Sequence, residues 1–178
     1  MEEPKPQDVG AIAWTVNPNR CFSISQFPGS TLGKLLLFTF MSGPGGVVSN
    51  LSYGVVTAGA GLTNSFLGLY DMAGNLLGTT ADQSANMMTV GSYTAALVSP
   101  VTLTPGTLYR VGLLNGAATT SPVIAGLFVA NGLFTNLGIT QVNNYLAASV
   151  GSGYTALPST YTPSALASLG GGIACVMT

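Results

Sequence analysis

Acid–base chemistry needs groups that titrate near neutrality, and this sequence holds few of them: four Lys or Arg, five Asp or Glu, and no histidine. Glu2, Glu3, Lys5 and Asp8 crowd into the first eight residues, leaving Arg20, Lys34, Asp71, Asp82 and Arg110 for all the rest. A Ser-His-Asp relay is impossible, and general acid–base catalysis lacks its usual agents. Asp71 and Asp82 form the one carboxylate pair in the body, and a glycosidase would need them roughly 5 to 9 Å apart. Asp71, however, lies in "YDMAGNLL". There its carboxylate suits the first position of a type I turn, and Gly74 supplies the positive φ that re-enters the next strand. A hairpin with a bulge at Gly74 is therefore predicted in place of an acid group.

The remaining reactive types fare no better. Cys21 and Cys175 lie near opposite ends of the chain without ligand-like spacing, which excludes zinc. Two separate buried thiols are the ordinary state for a protein assembled in a reducing cytoplasm; a disulfide is the alternative if the first and last strands are neighbours. "SGPGGVVSN" and "TAGAGLTN" are glycine-rich, but neither contains the lysine of a phosphate loop or leads into a helix. Four cations against five anions leave no basic patch for nucleic acid. The expectation is a non-enzyme with no catalytic residue, metal or cofactor.

The scarcity of charge is itself informative. Apolar residues make up 47% of the chain and charged residues 5%, against about a quarter charged in ordinary soluble domains. A freely dispersed protein uses surface charge to stay dispersed, so a body this neutral points to life inside an assembly whose neighbours cover it. A monomer coated with Ser, Thr and Asn is the other reading. The longest apolar run, "PVIAGLFVANGLF", is Gly-broken and far from the roughly 18 to 20 residues of a spanning helix. The N-terminus "MEEPKPQDVG" is acidic, opposite to a secretory signal, and a membrane barrel would need such a signal and a polar lumen. No membrane insertion is expected.

The elements that must hold these residues read as strands. Residues 1–10 form an arm in which Pro4 and Pro6 favour extended backbone, and 11–178 a single domain. Short apolar runs recur about every ten residues: 11–16, 20–25, 34–41, 51–58, 65–71, 75–80, 93–98, 107–115, 123–130 and 172–178. That spacing predicts an all-β antiparallel β-sandwich. "PGSTLGKLLL" and "PGTLYRVGLL" both pass from a Pro-Gly type II turn to one cation, Lys34 or Arg110, at a strand start. There the stem can cross a sheet edge and the head reach water, or Arg110 can pair with Asp82 or Asp71 as a structural bridge. Residues 131–170 read as long loops with one helical turn near "TQVNNYLAAS". Tyr145, Tyr154 and Tyr161 lie there among small polar residues; they form a candidate binding surface, or else pack their rings over the sheet.

Two stretches, "GLYDMAGNLLGTTADQS" and the later "PVTLTPGTLYRVGLLNG", resemble a β-sandwich module recurrent in tailed bacteriophages of actinobacteria, found there in minor tail and other virion surface proteins. The resemblance covers roughly residues 26 to 116. It implies a jelly-roll-like sandwich carried on a virion and assembled in the host cytoplasm. Two functions follow as expectations. One is an accessory structural subunit, a head decoration or minor tail protein, docking on other capsid or tail proteins through its arm (Glu2, Glu3, Lys5, Asp8 and Trp14). The other is a receptor-binding module whose tyrosine-bearing loops take host cell-envelope glycan. A homo-oligomer is expected in either case, a trimer by analogy.

Overall fold

The computed structural model describes residues 5–15, 23–26, 32–128, 147–169 and 171–178. Its strands are, in chain order, β1 (Ala13–Trp14), β2 (Ser23–Gln26), β3 (Leu35–Met41), β4 (Gly46–Thr57), β5 (Thr63–Asp71), β6 (Leu76–Thr79) and β7 (Gly91–Leu103). There follow β8 (Leu108–Ala117), β9 (Val123–Phe128), β10 (Ala147–Val150), β11 (Ala167–Ser168), β12 (Gly171–Ile173) and β13 (Cys175–Met177). Sheet A runs β1-β13-β4-β9-β12, with β7 on the free side of β4 and β2 on β9; sheet B runs β11-β10-β3-β8-β5-β6. All pairings are antiparallel, and the two sheets pack face to face as a β-sandwich. Most consecutive strands lie in opposite sheets, which is the jelly-roll-like winding.

Side-chain alternation explains the layers. On β4, Val48, Leu51, Tyr53 and Val55 are buried while Ser52 and Gly54 turn outward. They meet Leu67 and Leu69 of β5 and Val111 and Leu113 of β8 in the main core between the sheets. β3 is different: Leu35, Leu36, Leu37 and Phe38 are all buried. An unbroken apolar run marks a strand covered on both faces. Leu36 and Phe38 belong to the main core, whereas Leu35 and Leu37 join Tyr70, Ala148, Val150, Tyr161 and Leu166 in a second, smaller core on the outer face of sheet B.

The "DMAGN" segment makes the expected hairpin between β5 and β6. The Asp71 carbonyl accepts from Gly74 N at 3.2 Å, and Gly74 has φ 97°. The register slip falls one step later, between the pairs Leu69↔Gly78 and Tyr70↔Leu76, so the extra residue is Leu77 rather than Gly74. The second Pro-Gly turn forms as read: Thr107 N reaches the Thr104 carbonyl and Gly106 has φ 65°. The first, at 28 and 29, lies outside the described residues.

Four expectations need correction. β4 starts at Gly46, so part of "SGPGGVVSN" is strand, and β7 runs on through Pro100. β7 is an edge strand with a register shift against β4 between Val48 and Asn50, and edges and bulges are where a sheet admits proline. In the arm Lys5 is extended, but Pro6–Val9 winds into one 3-10 turn, because proline at the first helical position loses no needed N–H. Within 131–170, β10 and β11 are strands of sheet B, and "AAS" at 147–149 pairs with β3 instead of turning as a helix. Pairing against a long apolar neighbour overrides a weak local preference. A one-turn helix, α1 (Ser84–Met87), follows the "TADQ" that sequence reading left unassigned.

Candidate functional site

Among the described residues Arg110 is the largest fully buried side chain, at 0% exposure. It lies on β8, which has β3 and β5 on either side, so its stem has no sheet edge to cross and no path to water. This corrects the expectation of a solvent-reaching head. Its register neighbours are Thr39 and Tyr70. The guanidinium donates from Nε to Thr39 Oγ1 at 3.2 Å and from Nη1 to the Tyr161 hydroxyl at 2.5 Å. Its carbon also sits 5.8 Å from the centre of the Tyr161 ring.

The expected bridge to Asp71 or Asp82 is not made, because both carboxylates serve turns. Asp71 accepts from the backbone N–H and side-chain amide of Asn75 at 2.8 and 2.7 Å. Asp82 accepts from the Ser84 backbone and hydroxyl at 2.8 and 2.6 Å and from Ser65 N at 3.1 Å, tying α1 to the start of β5. Partial burial pushes both carboxyls up, but these hydrogen bonds outweigh it and hold both below the ordinary value. Asp82 meets Ser65 while Asp71 ends the same strand, six residues and therefore about 20 Å further on. That separation is too long for a glycosidase pair.

Tyr161 reaches Arg110 because residues 154–166 run as a strap across the outer face of sheet B. Tyr154 N donates to the Gly33 carbonyl, Leu76 N to Ser159 and Tyr161 N to Gly74, each at 2.9 Å. Tyr70 donates its hydroxyl to the Pro158 carbonyl at 2.9 Å and meets the Tyr161 ring edge-on at 5.4 Å. The strap thus adds a short strand segment to the tip of the hairpin, with Asn75 facing Thr160. Burial raises the hydroxyls of Tyr70 and Tyr161 above their ordinary value, the latter opposed by the Arg110 hydrogen bond and charge. With Tyr161 at 6% exposure, this cluster is a clasp holding strap to sheet, and no substrate can approach its guanidinium.

The other singled-out residues do not gather there. Tyr154 is half-buried against the same outer core, Tyr161 is inside it, and Tyr145 lies outside the described residues. A buried ring offers no platform, so Tyr161 is removed from the proposed loop surface. Glu2 and Glu3 also lie outside the described residues. Lys5 and Asp8 are close, the Lys5 backbone N–H donating to the Asp8 carboxylate at 2.7 Å, so that this carboxylate caps its own turn. Trp14 stands on β1 opposite Val176 of β13, half-buried on the outer side of sheet A. First and last strands are therefore neighbours, and Cys175 is a free, fully buried thiol. Cys21 lies outside the described residues.

Burial pushes the Cys175 thiol up to about 12 and raises Tyr53 as well, outweighing an opposing hydrogen bond from Asn86. Groups raised in the fold contribute stability that is complete below their unfolded values, near 8.5 for thiol and 10 for phenol, and is lost as pH climbs past them. With no histidine to titrate, the melting temperature should be level from about pH 6 to 8 and fall from about pH 9 upward. An alkaline titration followed by phenolate absorbance and circular dichroism checks this: part of the phenolate signal should appear only with unfolding. Full tyrosine ionisation of an intact fold would contradict it.

The two sheets differ outside as well. Sheet B carries Leu35, Leu37 and Tyr70 under the strap, whereas sheet A shows a row of small residues on its outer side, Val176, Ser52 and Thr94 lying side by side on β13, β4 and β7. Sequence reading missed this surface, although the alternation in 91–103 contained it.

The fold places the chain among antiparallel β-sandwich proteins. No protein-family model matches it, and no curated protein matches it either.

Proposed function

We propose that this chain is a non-enzymatic structural protein of a bacteriophage virion, an accessory surface subunit of head or tail that docks on other virion proteins. The observation that carries the reading is the near absence of charge from a body that nevertheless exposes a broad sheet face. Val47, Val98 and Thr94 stand open to solvent there without a lysine or carboxylate beside them in either strand. Such a surface suits permanent neighbours better than bulk water. The phage-module resemblance of "GLYDMAGNLLGTTADQS" supplies the setting, and the buried Arg110 supports a structural role for the residue most suited to ligand chemistry. Recognition of glycan by the tyrosine loops is the weaker reading, since Tyr161 is spent on the clasp.

The arm is the expected dock. Deleting residues 1–10 should leave the sandwich folded, because the arm contributes no buried residue among those described, yet reduce incorporation into particles to background. Quantifying the subunit in purified particles from a complemented deletion lysate reads this out. Normal incorporation with lost host adsorption would favour the receptor-binding reading instead.

A further inference from the structure

We infer that the outer face of sheet A is where a second copy of this chain docks. The inference rests on the shielding argument above, not on a place on the particle. Strand alternation assigns the face: Val48, Leu51, Tyr53 and Val55 point inward from β4, and Ala95, Leu97, Val101 and Leu103 from β7. Their neighbours therefore point out, in the cross-strand pairs Val47↔Thr102, Asn50↔Ala96 and Ser52↔Thr94. Val47 is 55% and Val98 71% exposed.

The chemistry of this face selects its occupant. Neither β4 nor β7 contains a charged residue, and the same holds for β13 and β9. A charged partner would lose hydration here without gaining a counter-charge, so the occupant must itself be neutral. Ala, Gly, Ser, Thr and Val side chains let a second backbone layer approach closely, as between stacked sheets. This chain presents such a surface, and strands without a charged residue meet their own copies without like-charge repulsion. Size agrees. β4, β7, β9 and β13 hold 12, 13, 6 and 3 residues, and at about 3.3 Å per residue and about 4.8 Å per strand they give a footprint of roughly 540 Å² per copy. Two copies then bury about 1,100 Å², above the roughly 1,000 Å² that a specific interface must clear.

The contrast with sheet B argues that the open face is not simply tolerated. Sheet B carries Leu35, Leu37, Tyr70 and the Arg110 guanidinium on its outer face, and the chain covers them with its own strap. None of the described residues straps β4 and β7, where Val47, Thr94, Ala96 and Val98 stay exposed. One face is closed within the chain; the other is left for a neighbour.

Sedimentation velocity on the purified full chain, from micromolar to near millimolar, tests the inference beside the variants Thr94→Lys and Ala96→Lys. Both positions are exposed, so folding should be unaffected, which melting curves verify. The wild type should self-associate with rising concentration, and each lysine should weaken this by about 100-fold, since it would become an unpaired charge inside the contact. A wild type that stays monomeric overturns the inference, as does a variant that associates as tightly as the wild type. A monomer whose attachment to particles, or to neutral oligosaccharide, is lost in Thr94→Lys would give the face a different occupant and also overturn it. Because the readout uses protein alone, its failure is separable from failure of the virion assignment, which particle incorporation measures.

Discussion

Replacing Gly74 by alanine should destabilise the protein by about 3 kcal/mol and release the strap from sheet B. Two costs combine. At φ 97° a side chain is strained, which costs about 1 to 2 kcal/mol. The new Cβ would also fall onto the carbonyl oxygen of Tyr161, which must withdraw, taking with it the Tyr161 N–H bond to Gly74 O and the ring that stacks with Arg110. Gly106 separates the two effects. Its φ of 65° brings similar strain, but a Cβ there meets nothing within 4 Å. Gly106→Ala should cost only about 1 kcal/mol. Urea unfolding measures both variants, and amide exchange at Leu76, Tyr154 and Tyr161, whose N–H groups donate across the strap contact, shows whether the strap has lifted. Equal losses in the two variants would remove the strap contact from the account.

How much of this was legible in the sequence follows from where each signal is stored. The sandwich was, because alternation and turn chemistry are local: "SFLGLYD" and "NLLGTT" around "DMAGN" define a hairpin with no help from the rest of the chain. The strap was not. Residues 154–166 contain no periodic apolar pattern, since they make isolated contacts onto a face prepared by β3, β5 and β8, and nothing local records that face. One clue was present in "KLLLFTF", whose unbroken apolar run requires cover on both sides, but which segment supplies the cover is a tertiary fact.

Arg110 was misread for a related reason. Its place near a strand start resembled that of Lys34, and edge and centre of a sheet look alike in a single strand's sequence. The carboxylates were misassigned to it because each had a nearer claimant: Asn75 for Asp71, and Ser84 with Ser65 for Asp82. The Asn75 and Ser84 backbone donors, four and two residues away, win over a distant cation, since almost no loop need be closed to reach them.

The same burial sets the second large expectation, a ranking among three substitutions. Arg110→Ala should cost about 3 to 5 kcal/mol, because it opens a cavity beneath the strap and strips the hydroxyls of Thr39 and Tyr161 of their donor. Tyr161→Phe keeps the ring and its contact with Tyr70 but deletes one hydrogen bond to a buried charge, a loss of about 1.5 to 3 kcal/mol. Arg110→Met should cost least, about 1 kcal/mol or nothing. It refills most of the volume and removes the charge whose desolvation opposes folding, and the Thr39 and Tyr161 hydroxyls can turn to other partners. If packing of the strap is what Arg110 contributes, denaturant unfolding will return that order. If Arg110→Met is instead as damaging as Arg110→Ala, the charge itself holds the strap, and the clasp is electrostatic rather than steric. The deciding quantity is the gap between the methionine and alanine variants, because both delete the same charge and differ only in how much of the space under Tyr161 they fill.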